Sequence, residues 1–193
     1  MENKASLSAK RKAITRITLI ALFAALIAAG TFISIPLPFS PVPVVLQNLF
    51  TLLAGLILGP LLGGFAVGLY LIAGAIGAPV FAGASGGFVR FLGPTGGFLL
   101  GYLFSAIAAG AVVGRPRGEG TPRLWRIILG ASLGLLSIYV PGLIRLKMVL
   151  DTTWTAVFTA GFLPFLIGDV VKGAAAVIIA PRLRRLAADQ LDG

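Results

Sequence analysis

The stretch Phe162-Leu163-Pro164-Phe165-Leu166-Ile167-Gly168-Asp169-Val170-Val171-Lys172-Gly173-Ala174-Ala175-Ala176-Val177-Ile178-Ile179-Ala180 is apolar enough to cross a membrane, yet it holds an acid and a base three residues apart. A charge near the middle of a membrane helix costs roughly 2.5 to 3.5 kcal/mol on insertion scales, so such groups turn toward a protein interior or a watery cavity. The spacing sets Asp169 and Lys172 on one helical face, where they neutralise each other or hold the two ends of a polar ligand. A structural ion pair and a proton relay are the other roles open to them. Intramembrane charges are functional by default, and this favours ligand binding.

The rest of the chain shares that character. Of 193 residues, 58% are hydrophobic and 11% charged, more apolar matter than a soluble domain of this size hides in one core. Apolar runs recur along the whole length, so residues 1–193 read as a single transmembrane domain with short basic tails. Cysteine and histidine are both absent. Disulfides, thiolate nucleophiles, imidazole chemistry and the usual zinc, haem and iron–sulfur ligand sets are thereby removed, and no metal site is expected. Six acidic residues, of which only Asp169 is deeply placed, provide no acid–base or nucleophile pair, so a catalytic role is disfavoured.

The expected fold is all-α and polytopic, with six transmembrane helices over 17–35, 44–58, 61–77, 96–114, 127–145 and 164–180, because backbone in lipid must satisfy its own hydrogen bonds. Pro36, Pro38, Pro41 and Pro43 make the first connection, Gly59-Pro60 a tight second one, and a glycine-dense segment over 77–97 the third. The basic run before Ile17 imitates a signal peptide, but the apolar run that follows is longer than a usual signal core and reads as a retained first span.

The net charge of +10 would suggest nucleic acid in a soluble protein; here the cations flank apolar runs and report membrane orientation instead. Lys4, Lys10, Arg11, Lys12, Arg16, Arg115, Arg117, Arg123, Arg126, Arg182, Arg184 and Arg185 fall on the side of the termini. Arg90, Arg145 and Lys147 fall on the other. Both termini are therefore expected in the cytoplasm of a cell-membrane protein.

Polar residues from separate segments converge on the outer side. With Pro164 at the first helical position, Asp169 lies about 7.5 Å below the outer end of its span, and Gln47, with Asn48 beside it, lies about 6 Å down the second. Arg90 sits in the outer glycine-rich connection. Such convergence is what a binding site requires. Gln47 serves equally as interhelical glue, and Arg90 as a headgroup contact. The segments Gly83-Ala84-Ser85-Gly86-Gly87 and Gly93-Pro94-Thr95-Gly96-Gly97 lack the lysine and preceding strand of a phosphate-cradling loop. They are expected to fold over the pocket as a lid, with Ser85 and Phe81 toward the ligand and Phe88 and Phe91 as further apolar contacts. Tyr70, Tyr139 and Trp154 are candidate wall aromatics. On the first span, Ala21, Ala25 and Ala29 form a stripe of small residues that fits either a partner helix or packing within the bundle.

These residues resemble the biotin transporter family BioY, the substrate-binding S components of energy-coupling factor (ECF) transporters. The likeness is carried by Pro36-Leu37-Pro38, by Pro41-Val42-Pro43 leading into Leu46-Gln47, and by Leu53-Ala54-Gly55-Leu56-Ile57-Leu58-Gly59-Pro60. It continues through Gly77-Ala78-Pro79-Val80-Phe81-Ala82-Gly83 and Gly93-Pro94-Thr95-Gly96-Gly97-Phe98, and ends in Gly161–Lys172. Ile167 stands where the family pattern has a second proline, and 142–155 departs from it. The resemblance implies a six-helix S-component fold with an outward, loop-capped biotin pocket. It also implies a first helix that docks on a transmembrane coupling protein driven by two ATP-binding subunits. Biotin is then cargo, and no cofactor is expected. Asp169 would accept a ureido N–H and Lys172 or Arg90 would meet the valerate carboxylate. An S component or stand-alone permease for another small vitamin-like molecule is the competing reading, and no span is interrupted as inverted-repeat carriers often are.

Overall fold

The computed structural model describes residues 2–116 and 122–192. Arg117, counted above among the basic residues of the termini side, lies outside them. The elements run α1 (Glu2–Ala29), β1 (Ser34–Leu37), β2 (Ser40–Val45), α2 (Gln47–Ala75), α3 (Val89–Leu92), α4 (Gly96–Val113), α5 (Leu124–Leu150), α6 (Trp154–Gly161) and α7 (Leu163–Asp192). The protein is mostly helical, and among the described residues five helices are long and apolar enough to cross a membrane: α1, α2, α4, α5 and α7.

Helix α2 is a bent pair rather than a rod. Gly59 takes φ 81°, ψ −178°, a left-handed conformation that glycine adopts without steric cost, and Pro60 follows with no N–H to leave unpaired. The chain reverses there. A Cβ on Gly63 would stand 2.8 Å from the carbonyl oxygen of Ala54, and Gln47 at the start of the first arm bonds Tyr70 near the end of the second. The spans expected over 44–58 and 61–77 are thus the two arms of one helical hairpin.

Three other expectations are corrected. The first helix ends at Ala29 instead of 35, and 34–45 form a two-stranded antiparallel ribbon, with Ser34 opposite Val45 and Leu37 opposite Ser40. Prolines at 36, 38, 41 and 43 suit such a ribbon because each of its strands has one free edge where a missing N–H costs nothing. Helix α5 runs on to Leu150 with Pro141 inside it, and the short α6 follows, capped by the Thr153 hydroxyl, which accepts from the Ala156 N–H at 3.3 Å. Helix α7 continues through Pro181 to Asp192 where the sequence suggests a stop at 180. Pro181 removes one helical bond, but beyond it Ala187, Ala188 and Leu191 are buried and Arg184 is fully engaged, which holds the last turns in place.

Arg184, 4% exposed, donates to Leu56 O at 2.7 Å, Val113 O at 3.1 Å and Gly114 O at 2.8 Å. These carbonyls lie at the ends of the first arm of α2 and of α4, where unpaired C=O groups carry the negative pole of each helix. The guanidinium therefore ties three helices together at the end of the bundle that holds the termini.

Buried side chains divide into two layers. The layer toward the Gly59 turn is built of Leu52, Leu56, Ile57, Ala109, Ala131, Ala176 and similar aliphatic residues. The opposite layer gathers Tyr70, Phe81, Phe98, Tyr102, Tyr139 and Phe165. Between α4 and α5 the backbones meet closely: a Cβ on Gly101 would come within 2.6 Å of Ile138 O. That approach sets Tyr102 and Tyr139, each next in sequence, beside one another.

Candidate functional site

Asp169 emerges from α7 into the aromatic layer and is 6% exposed. Its Oδ1 accepts from Asn48 Nδ2 and from Lys172 Nζ, each at 2.7 Å, and its Oδ2 accepts from the Tyr139 hydroxyl. Lys172 Nζ also donates to Asn48 Oδ1 and to the backbone carbonyl of Val45, both at 3.0 Å. All three ammonium donors are thereby matched with acceptors, and one acid is balanced by one base. A buried ion pair holds only when its remaining lone pairs and protons are satisfied, and here α2, β2, α5 and α7 each supply a partner.

A second polar cluster adjoins the first through the consecutive residues Gln47 and Asn48. Gln47, 1% exposed, places its side-chain nitrogen 2.5 Å from Thr31 Oγ1, 2.7 Å from Tyr70 OH and 3.0 Å from Val80 O. The Thr31 hydroxyl donates to the same Val80 carbonyl at 2.5 Å. These bonds fasten the chain after α1 and the glycine-rich loop to the start of α2.

Two of the cavities that open beside these clusters share a wall. The smaller, about 40 Å³, is bounded by Asn48, Asp169, Lys172, Tyr139, Phe98 and Phe165. The other, about 120 Å³, is bounded by Gln47, Phe81, Ser85, Arg90, Thr95 and Leu99. Val42, Pro43 and Val45 of the ribbon, with Phe98 and Tyr102 of α4, line both. The two are compartments of one zone, with an acid–amide cluster at one end and a guanidinium at the other.

Of the residues expected from the sequence, Asp169, Lys172 and Asn48 share the first cluster, and Gln47 anchors the second. Phe81, 2% exposed, packs its ring so tightly on Gly74 that a Cβ there would lie 2.1 Å from it, and it meets Tyr70 edge-on with centroids 5.5 Å apart. Ser85 donates to Ala82 O at 2.8 Å. Arg90, exposed, is carried by α3. The cover over the cavities is shared between this loop and the ribbon, so the lid is not the glycine-rich segment alone. Trp154 is a correction: it is 50% exposed, lies against Phe158, and bounds neither cavity. Tyr70 is spent on Gln47, whereas Tyr139 joins the wall. Tyr102, 5% exposed and common to both cavities, escaped the sequence reading. A tyrosine inside an otherwise apolar span was the available signal.

Ala21, Ala25 and Ala29 are exposed along α1, while Phe23, Ala24 and Ile27 face the interior. The stripe is therefore not used for packing within the chain.

Comparison with known proteins follows the same lines. Residues 1–189 match the model of the BioY family. The probable biotin transporter BioY of Pyrococcus horikoshii is 42% identical over 87% of this chain and 95% of its own. The biotin transporter BioY of Rhodobacter capsulatus is 40% identical over 85% and 90%. Among solved structures, the S-component for biotin from an ECF-type ABC transporter superposes with a TM-score of 0.80 at 30% identity, covering 89% of this chain and 92% of that one.

Proposed function

The chain belongs to the BioY family, and from that premise we propose how its residues perform biotin uptake as the S component of an ECF transporter. The observation that carries the reading is the buried Asp169–Lys172–Asn48–Tyr139 cluster adjoining two cavities whose far end is Arg90. Biotin presents a ureido ring, an apolar bicycle and a valerate carboxylate. Asp169 accepts a ureido N–H, and Asn48 and Tyr139 orient that carboxylate; Phe98, Tyr102 and Phe165 face the bicycle. Lys172 already has three partners, whereas the Arg90 guanidinium has none among the described residues, so its fork is the better match for the ligand carboxylate. Gln47, Phe81 and Ser85 hold the wall and cover.

Pockets that take drug-sized ligands run to roughly 300 Å³ or more, well above either cavity. Loading therefore displaces the ribbon residues Val42, Pro43 and Val45 that intrude between the two.

The chain acts as one transmembrane unit of six crossings, with the arms of α2 counted separately, and with both termini in the cytoplasm by the excess of basic residues on that side. Energy comes from partners: α1 docks through Ala21, Ala25 and Ala29 on a transmembrane coupling protein driven by two ATP-binding subunits. The reading calls for no cofactor, no metal and no catalytic residue, biotin being cargo. Calorimetric titration of the detergent-purified protein with biotin tests it; absence of saturable binding, with binding of another vitamin instead, would overturn it.

A further inference from the structure

A groove of about 640 Å³, larger than either compartment of the ligand zone, lies at the end of the bundle that carries the termini. It is bounded by Ile17 and Ile20 of α1, by Leu61 and Phe65 just past the Gly59 turn, and by Arg16 and Arg115. Ile17 is 66% exposed, Leu61 52% and Phe65 61%, and both arginines are exposed. Among the described residues Asp169–Lys172 is the one ion pair, so neither arginine is balanced by an acid there. The groove thus offers an apolar trough headed by two guanidiniums from separate segments. Guanidinium forks match phosphate oxygens two at a time, and basic pockets between membrane helices on the cytoplasmic side take acidic lipid headgroups.

We propose that this groove binds one anionic phospholipid, its phosphate between Arg16 and Arg115 and an acyl chain along Ile17, Leu61 and Phe65. The proposal uses the orientation given above, which puts the groove in the cytoplasmic leaflet. Binding to purified protein can be read whichever way the chain faces.

The test is native mass spectrometry of the full chain in detergent, titrated with phosphatidylglycerol and phosphatidylcholine of the same acyl chains. Wild type should retain one phosphatidylglycerol with at least about a tenfold preference, equivalent to about 1.4 kcal/mol. Arg16→Gln with Arg115→Gln should lose the preference, while Lys10→Gln with Arg11→Gln, an equal loss of charge away from the groove, should keep it. Leu61→Trp, which fills the trough and retains both arginines, should expel the lipid. Biotin binding measured in parallel shows that each variant is folded and keeps this test separate from the biotin reading. Equal retention of both lipids by wild type, equal loss in the control pair, or retention unchanged by Leu61→Trp each overturns the proposal. If wild type holds neither lipid and Leu61→Trp blocks assembly with the partner subunits, the groove is a protein-docking face and the proposal is wrong.

Discussion

Lys172 Nζ donates to the backbone carbonyl of Val45, 3.0 Å away and 127 residues earlier in the chain. That bond links α7 directly to the ribbon covering the cavities. The same ammonium holds Asp169 and Asn48, so any ligand group that draws on this cluster also loosens the cover.

Removing either charge should therefore act twice. Asp169→Asn leaves Lys172 buried without its counter-ion, and Lys172→Met leaves the carboxylate in the same position. Losing one member of a buried charge-assisted contact costs about 2 to 5 kcal/mol, a loss of roughly 30-fold or more in biotin affinity. Calorimetric titration measures it. In ligand-free Lys172→Met, amide hydrogen exchange should also quicken over residues 40–45. Wild-type affinity in both variants would make the pair a structural clamp.

Arg90 can be tested through the ligand rather than the protein alone. Arg90→Gln should weaken biotin roughly 10- to 100-fold, in keeping with about 1.5 to 3 kcal/mol for hydrogen bonds to charged groups, and leave biotin methyl ester almost unaffected. Equal losses for both ligands would make Arg90 a support of the cover instead of a partner of the carboxylate.

Ala25→Trp should separate binding from transport. The residue is exposed on α1 and bounds neither cavity of the ligand zone, so biotin titration of the isolated protein should be unchanged. Uptake by the complete complex should fall sharply because a bulky side chain prevents close helix approach. A parallel loss of binding would return the stripe to internal packing.

Because the chain has no cysteine, single cysteines report its orientation without background. In intact cells Ser8→Cys and Asp189→Cys should resist impermeant thiol reagents, and Ser85→Cys should react in the absence of ligand. Labelling at either terminus would reverse the proposed topology.

The cluster was legible because its logic is local. Three-residue spacing on a helix and the cost of intramembrane charge are enough to pair Asp169 with Lys172, and depth from the outer end brings Asn48 to the same level. The ribbon was not legible: prolines at alternate positions mark a connection, and only the pairing of Ser34 with Val45 turns that connection into a strand pair. Tyr102 was missed because its place between the cavities depends on how closely Gly101 lets α4 approach α5. Gly59-Pro60 was read correctly as a tight reversal, but that its arms pack on each other at Gly63 and Ala54 is a tertiary fact. The last span, bounded at 180 in the sequence, falls short of the helix, because burial of Ala187 and Leu191 carries α7 on past Pro181 to Asp192.

The Gly59 reversal bears on how this protein is made. Its first arm, Gln47–Leu58, is about 18 Å long, well short of the roughly 30 Å hydrocarbon layer, and opens with two amide side chains. Such a segment has little tendency to leave the translocation channel for lipid by itself. Paired with the second arm it does better, because Gln47 finds Tyr70 and the small faces at Ala54 and Gly63 come together. The two arms are thus expected to insert as a single unit of biogenesis, and a β-branched residue at position 59 would be felt first by the insertion machinery, before any pocket existed to be measured.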